Sequence, residues 1–133
     1  MLGTVHGGLV EVRSNLPAGA GLSSSAAFAV ALSLALGAEP LPIEVARLCQ
    51  QAEHAIGVPV GLMDPLVSMA GVAGHALLID FATLETRPVV LPDDVEVVVV
   101  DSGSPRRLDA SPYAARRSEC EAAAAVVLSL IHI

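Results

Sequence analysis

The chain has 133 residues, which allows one domain with a modest hydrophobic core. Hydrophobic residues make up 53% of the chain but aromatic residues only 2%, so the core must be built from small aliphatic side chains. The net charge of −7 argues against nucleic acid or an anionic membrane as a partner, and the sequence has neither a signal peptide nor an apolar run near the roughly 18 residues of a membrane span.

The first elements predicted along the chain are a strand, a loop rich in glycine and serine, and a helix. Residues 8–14 alternate apolar and polar side chains, which favours a strand. Residues 26–36 are rich in alanine and leucine, and Gly37 is a stop signal for the helix that they predict. Between them, Gly19 and Gly21 can take positive φ and let the backbone approach a ligand. The start of a helix attracts anions, phosphate above all, although an ordinary turn capped by serines is the plain alternative.

Other chemistries use a loop of this kind, and the spacing of residues 17–27 does not fit them. A nucleotide P-loop requires a lysine that is absent here. A dinucleotide-binding turn requires a third glycine where Ser24 stands, and a serine-hydrolase elbow requires glycine where Ala26 or Ala27 stands. With these three kinds of site rejected, the functional interpretation of residues 17–27 is a helix start that binds an anion.

A second helix is predicted from Pro42, a residue that suits the first turn of a helix. Its apolar side chains recur at steps of three and four and form one stripe, made of Val45, Leu48, Cys49, Ala52 and Ile56. Glu53 borders this stripe and His54 lies on the polar side. The pattern alone makes both of them part of a solvated helix face.

A short third helix is predicted after the loop of residues 57–61. Asp64 followed by Pro65 is good chemistry for a helix start, so the pattern alone makes Asp64 an N-cap and Pro65 the first helical residue. Gly71 is expected to end this helix.

The rest of the chain is predicted to form sheet plus one helix. Residues 76–81, 86–91 and 95–101 are strand-like, and the last run is rich in β-branched residues and long enough for a buried strand. Ser111 and Pro112 suit the start of the final helix, of which one face is made of Tyr113, Arg117, Cys120, Ala124 and Val127.

The remaining reactive and charged side chains carry weaker signals. Cys49 and Cys120 each lie within a helical pattern, which predicts reduced, buried thiols. The four histidines show no metal-ligand spacing, so no role is assigned to them. Arg106 and Arg107 are either a cationic lining of a substrate mouth or part of a solvated loop.

Four blocks of the sequence carry a family resemblance. Residues 17–27 read Pro-x-x-x-Gly-Leu-Ser-Ser-Ser-Ala-Ala, which resembles the second motif of the GHMP kinases, the superfamily of galactokinase, homoserine kinase, mevalonate kinase and phosphomevalonate kinase. Residues 51–64, 74–80 and 113–120 resemble the galactokinase branch, in the right order. The resemblance implies an α+β, GHMP-kinase fold with a ribosomal protein S5 domain 2-like N-terminal domain, here truncated at both ends.

The resemblance also implies a role for individual residues. Asp64 would face the sugar hydroxyl that is phosphorylated, Glu53 with Ser25 would bind Mg²⁺, and Tyr113 would touch the sugar. The family usually has Gln after this aspartate, where this chain has Pro65, and the loop from Glu53 to Asp64 is one residue shorter than expected. The ATP phosphates would lie against the backbone amides of the loop, that is, of Gly19, Ala20, Gly21, Leu22, Ser23, Ser24 and Ser25.

We therefore expect a cytoplasmic sugar kinase most similar to galactokinase, which uses ATP and Mg²⁺ and is monomeric as a whole protein. Residues 1–128 would be its central part, including the phosphate loop and the start of the C-terminal half, and residues 129–133 a non-native tail. By themselves the 133 residues are expected to be inactive, because most of the residues that bind the sugar and those that bind the adenine ring would lie outside them. Two alternatives stay open: a paralogous kinase acting on arabinose, N-acetylgalactosamine or a uronic acid, and a galactokinase-like sugar sensor without turnover.

Overall fold

A computed structural model describes residues 7–17, 19–58, 60–100, 103 and 113–131 of the chain. Three helices come first, α1 (Ser24–Ala35), α2 (Pro42–Ala55) and α3 (Met63–Ala70). They are followed by two strands, β1 (His75–Ile79) and β2 (Thr86–Val90), and by a last helix, α4 (Tyr113–Ile131). This mixture of helices and a two-stranded sheet agrees with the predicted α+β class.

The core lies where α1, α2 and α3 pack against one another. Val30 of α1 meets Val45 and Cys49 of α2, and Met69 of α3 packs against this cluster. Leu66 of α3 is only 1% exposed. Burying an aliphatic side chain of this size contributes about 1.5–3 kcal/mol, so these contacts hold the three helices together. The predicted core of small aliphatic residues is confirmed in the described part of the chain.

The ends of α1 and α2 follow the predicted signals. Gly37 takes a φ of 86° just beyond α1, and its N–H donates to the carbonyl of Leu34 at 3.0 Å, which satisfies one of the last carbonyls of the helix. Pro42 is the first residue of α2, as predicted. The predicted stripe of α2 is buried only in its first half, because Ile56 at its far end is 77% exposed.

The two strands form an antiparallel hairpin whose register runs from His75 opposite Val90 to Ile79 opposite Thr86. Asp80 closes its turn. The N–H of Asp80 donates to the carbonyl of Glu85 at 3.0 Å, and one carboxylate oxygen of Asp80 accepts the N–H of Ala82 at 2.8 Å. The contact from the Asp80 side chain to the backbone reproduces the geometry of a backbone turn. The pairing of β1 with β2 confirms the prediction of two strands joined by a short turn.

Two other predicted strands are wrong. Residues 8–14 and 95–100 have no strand structure and are exposed to solvent, with Val100 82% exposed. Both runs have suitable side chains, but a strand exists only when a neighbouring strand supplies hydrogen bonds. Among the described residues, β1 and β2 pair only with each other. Asp101, at the end of the second run, lies outside the described residues.

The last helix differs from its prediction in its burial. Cys120 is exposed, so only the prediction of a buried thiol at Cys49 is confirmed. Arg116 pairs with Glu119 at 2.7 Å and Arg117 with Glu121 at 2.9 Å, as is typical of a solvated helix surface. Val127, which belongs to the predicted face of Tyr113, Arg117, Cys120 and Ala124, is 54% exposed. None of the helices in the described ranges is both long enough and apolar enough to cross a membrane.

Some predictions fall on residues that the structure does not describe. Ser111, Pro112, Arg106 and Arg107 lie outside the described ranges. The helix continues as far as Ile131. The origin of the last five residues therefore stays a prediction.

The turn at Asp80 predicts an acid-sensitive hairpin. Hydrogen bonds from the N–H groups of Ala82 and, less strongly, Thr83 lower the pKa of the Asp80 carboxyl from its ordinary value of 3.8. The ionised carboxylate therefore stabilises the turn above about pH 3.8, and this contribution is lost as the pH falls through the lower folded-state pKa. An NMR titration of the Asp80 carboxyl carbon should give a midpoint below 3.8.

Asp80→Asn is the control, because the amide oxygen can still accept both N–H groups but does not titrate. The β1–β2 amide signals of this variant should lose the acid-dependent shift. An identical shift in the variant and the natural chain would show that another group causes it.

Candidate phosphate-binding site

The loop before α1 has an unusual backbone. Gly19 and Gly21 each take a φ of 76°, and Ser23 takes φ 55° and ψ 33°, in the left-handed region. The residues between them, Ala20 and Leu22, do not have positive φ. Alternation of this kind turns successive N–H groups towards a common point and forms a concavity that suits an anion.

The start of α1 leaves three further amides without helical partners. The first hydrogen bond along α1 runs from the N–H of Ala27 to the carbonyl of Ser23, at 3.0 Å. The N–H groups of Ser24, Ser25 and Ala26 precede it, and no acidic residue lies in the first turn. With the partial positive charge of a helix start, these donors favour a bound anion.

The plain alternative of a serine-capped turn does not describe this loop. Ser23 occupies the N-cap position, but its side chain makes no cap hydrogen bond. A residue other than glycine in the left-handed region costs about 1–2 kcal/mol, and the missing cap does not offset that cost. Strain without a local benefit points to a ligand-binding role for the backbone.

The seven predicted phosphate-loop residues differ in exposure. Gly19, Gly21 and Leu22 are exposed, Ser25 is the exposed second residue of α1, and Ala20, Ser23 and Ser24 are half-buried. The loop is therefore open to a ligand from solvent on one side, while Ala26 directly behind it is buried in the core.

Glu53 is expected to lie at the same end of the helix pair as this loop, as it would in an antiparallel helix hairpin. Residues 36–41 connect α1 to α2 in one short passage, and the helices pack side by side with Ser33 Oγ 3.6 Å from Cys49 Sγ. In a pair joined in this way, the start of the first helix and the end of the second lie together. Glu53 is a half-buried residue in the last turn of α2, not part of the fully solvated face that the pattern alone indicates.

Asp64 lies in the first turn of α3 and is half-buried. The N-cap of this helix is Leu62, so the capping interpretation of Asp64 is wrong. The next two residues, Pro65 and Leu66, are buried, which fixes the start of α3 against α1 and α2. The carboxylate is thus placed by a rigid element, and its negative charge is favourable near a helix start.

The predicted metal and sugar contacts stay predictions. Within the described residues, no three side chains of His, Cys, Asp or Glu come together as a metal site. Mg²⁺ bound to ATP needs only one or two protein oxygens beside the phosphates and waters, so the hydroxyl of Ser25 and the carboxylate of Glu53 suit it in chemistry and number. Tyr113 is the first residue of α4, and its side chain lies outside the described part, so its sugar contact stays a prediction.

The sequence interpretation missed two side chains that hold the loop before Asp64. Nε2 of Gln50 donates to the carbonyl of Val60 at 3.2 Å, and Nε2 of His54 lies 2.9 Å from the same oxygen. Their spacing of four residues puts both on one side of α2, one turn before the loop. That spacing is the signal from which the contact could have been suspected.

Comparison with known proteins identifies the family of the chain. The family described as GHMP kinases N terminal domain matches residues 2–72, which contain the loop, Glu53 and Asp64. The chain belongs to the GHMP kinase family.

Two similar relatives are called galactokinase. The chain is 46% identical over 124 residues to the galactokinase of Chloroflexus aurantiacus, which covers 90% of the chain and 32% of that protein. It is 44% identical over 128 residues to the galactokinase of Chloroflexus aggregans, which covers 92% of the chain and 33% of that protein. The chain thus spans about a third of the length of these curated relatives.

The loop backbone predicts a specific effect of Gly21→Ala. A Cβ at φ 76° is strained and would project from the concavity that the amides form, so affinity for ATP should fall about tenfold or more, measured by calorimetry. Gly37→Ala is the matched control, because Gly37 also has positive φ, at 86°, but has open space around it beyond the far end of α1. Equal losses of affinity in both variants would mean that strain alone is responsible.

Proposed function

We propose that the whole protein encoded by the reading frame that contains these residues, called here the whole gene product, is a galactokinase. It would transfer the γ-phosphoryl group of ATP to the anomeric hydroxyl of galactose. The observation that carries this proposal is the loop before α1, with positive φ at Gly19, Gly21 and Ser23. A backbone shaped for phosphate, in a chain 44–46% identical to two galactokinases over most of its length, supports transfer from ATP to a sugar.

In this proposal the loop binds the phosphates of ATP through backbone donors. The amides of residues 19–25 and the start of α1 carry no full positive charge, so they bind phosphate by direction and number of N–H groups. This suits a chain whose net charge is −7 and which has no lysine in the loop. The fold that we propose for the N-terminal domain of the kinase is the ribosomal protein S5 domain 2-like arrangement.

Asp64 is the proposed base. Phosphoryl transfer depends mainly on alignment of donor and acceptor and on charge neutralisation, so the protein needs one group that orients the sugar hydroxyl and accepts its proton. The carboxylate of Asp64 is suited to this because it lies on the first turn of a packed helix that contacts α1. The proton would move from the hydroxyl oxygen to a carboxylate oxygen as the bond from that hydroxyl oxygen to the γ-phosphorus forms, while the bond from the γ-phosphorus to the oxygen shared with the β-phosphate breaks and ADP leaves.

Ser25 and Glu53 are the proposed protein ligands of Mg²⁺. When bound together with ATP, this ion would supply positive charge that the phosphate loop lacks. Ser25 contributes an exposed hydroxyl from the first turn of α1, and Glu53 a carboxylate from the last turn of α2. The two residues come from the ends of helices that lie together, as the ligands of one ion must.

A panel of sugars tests the proposal as a whole. The whole gene product is incubated with ATP, Mg²⁺ and galactose, arabinose, N-acetylgalactosamine, galacturonic acid or glucose, and ADP release is followed. We expect the highest kcat/KM with galactose. A higher value with another sugar would make the protein a paralogous kinase, and binding of ATP and galactose without ADP release would make it a sugar sensor.

The proposed base predicts the effect of Asp64→Ala. Loss of a positioned acid or base lowers kcat by about 10²-fold or more, and ATP affinity should change little. Asp64→Asn should be equally slow, because the amide has a similar shape but accepts no proton. Glu44→Gln is the control, since Glu44 is the first-turn acid of α2 and has no role in the site. Turnover of Asp64→Ala within about threefold of the natural protein would leave Asp64 only its favourable interaction with the helix start.

The proposed metal ligands predict a changed requirement for Mg²⁺. In Ser25→Ala and Glu53→Gln, half-maximal activity should need about tenfold more Mg²⁺ or higher, because each variant removes one oxygen ligand, while the KM for galactose stays near its natural value. Glu39→Gln is the control, because Glu39 is exposed in the passage between α1 and α2 at the opposite end of the pair. An unchanged Mg²⁺ titration in both variants would remove Ser25 and Glu53 as ligands.

A further inference from the structure

The loop between α2 and α3 is held at one carbonyl by two side chains. Gln50 Nε2 is 3.2 Å from the carbonyl oxygen of Val60, and His54 Nε2 is 2.9 Å from it. A carbonyl oxygen has two lone pairs and can accept both donors. We call this arrangement, of Gln50, His54 and Val60, the Val60 clamp.

The clamp defines the protonation of His54. A carbonyl oxygen only accepts, so Nε2 of His54 must carry a hydrogen. The neutral ring is therefore the Nε2–H tautomer.

Near Val60 the described backbone hydrogen bond of the loop runs from the N–H of Val60 to the carbonyl of Val58, at 2.9 Å. At the start of the loop, the N–H of Val58 donates to the carbonyl of Glu53 at 3.0 Å and closes the end of α2. At its end, the N–H of Leu66 donates to the carbonyl of Leu62 at 3.1 Å, which belongs to the first turn of α3. The described hydrogen bonds from side chains to the segment between these two points are those of the clamp.

We propose that Gln50 and His54 are positioning residues for Asp64, an inference that rests on the proposed function. Val60 lies four residues before Asp64 in the sequence. Glu53 lies next to His54 in the last turn of α2. The clamp therefore ties the start of α3 to the part of α2 that carries the proposed metal ligand. The apolar contacts of Pro65 and Leu66 hold α3 in place but are not directional, whereas two hydrogen bonds to one oxygen define a position and an orientation.

The size of the expected effect follows from the geometry that a kinase needs. Reacting groups must be held within a fraction of an ångström, and a misplacement of about 1 Å can lower the rate by about 10²-fold. Loss of the clamp leaves the apolar packing of α3, so we expect a smaller change, a fall of about tenfold in kcat. The KM for ATP should change little, because the phosphate loop lies at the start of α1 and none of the described hydrogen bonds of the clamp reaches it.

The first measurement tests the clamp itself and is independent of catalysis. The whole gene product is labelled with ¹⁵N-histidine, and the tautomer of each ring is read from its nitrogen shifts, with His54 assigned by its absence in His54→Gln. His54 should be the Nε2–H form. His75 is an internal comparison, because its Nδ1 lies 2.9 Å from the carbonyl of Ala73 and must carry the hydrogen. An Nδ1–H tautomer at His54 would overturn the clamp.

The second measurement separates positioning from stability. The double variant Gln50→Met, His54→Phe removes both donors at similar volume and should show the tenfold lower kcat. His54→Gln offers an amide N–H in place of the ring N–H and should keep kcat within about threefold of the natural value. Gln51→Met, at the exposed neighbouring position, controls for the exchange of Gln for Met. Melting temperatures are recorded for every variant.

The outcomes distinguish the inference from the function on which it rests. A double variant with a lower melting temperature but the natural kcat would make the clamp purely structural and overturn the inference, while the proposed function stands. If the natural protein releases no ADP with any sugar, the proposed function fails and the inference fails with it. A tenfold fall in kcat in the double variant, a kcat of His54→Gln within about threefold of the natural value, and the Nε2–H tautomer at His54 together support the inference.

Discussion

Close packing of three short helices through small side chains is the constraint on which the rest of the structure depends. Ala46 is 0% exposed and Val45 1%, and neither side chain is large. Small residues let helix axes approach closely, and a close-packed interior leaves little freedom for one helix to slide along another. The ends of α1, α2 and α3 are therefore defined relative to one another. In the proposed site, a loop at the start of α1, a carboxylate at the end of α2 and a second carboxylate at the start of α3 would be parts of one region.

The local conformations at these helix ends are less favourable than they could be. Ser23 adopts left-handed geometry without a cap hydrogen bond, and Leu62 is an N-cap without a side chain that can cap. A helix built for stability alone would have Ser, Thr, Asp or Asn forming that bond. The buried faces of the same helices offset these small losses, so the ends are available for ligand binding. This is the usual relation between a rigid scaffold and the functional loops that it carries.

Helices were predictable from the sequence where their signals are local. The apolar spacing from Val45 to Cys49, the proline at the start of α2 and the glycine beyond α1 each act within a few residues, and the structure has all of them. Strands depend on partners distant in sequence, and here prediction succeeded only for β1 and β2, which lie side by side across a short turn. Residues 95–100 have side chains that suit a strand but pair with no strand among the described residues. The sequence pattern alone therefore gave a wrong prediction of a strand there.

For the site, the sequence by itself determined the chemistry available: glycines that allow a phosphate-shaped loop, serine hydroxyls, and carboxylates at Glu53 and Asp64. Residue types and short spacings are enough for this, because they follow from covalent structure and local backbone geometry. Only the tertiary structure decided that Asp64 lies within the first turn of α3 instead of capping it, and that Gln50 and His54 reach Val60. Both depend on how α3 docks against α2, and the docking is set by the shapes of side chains far apart in the sequence.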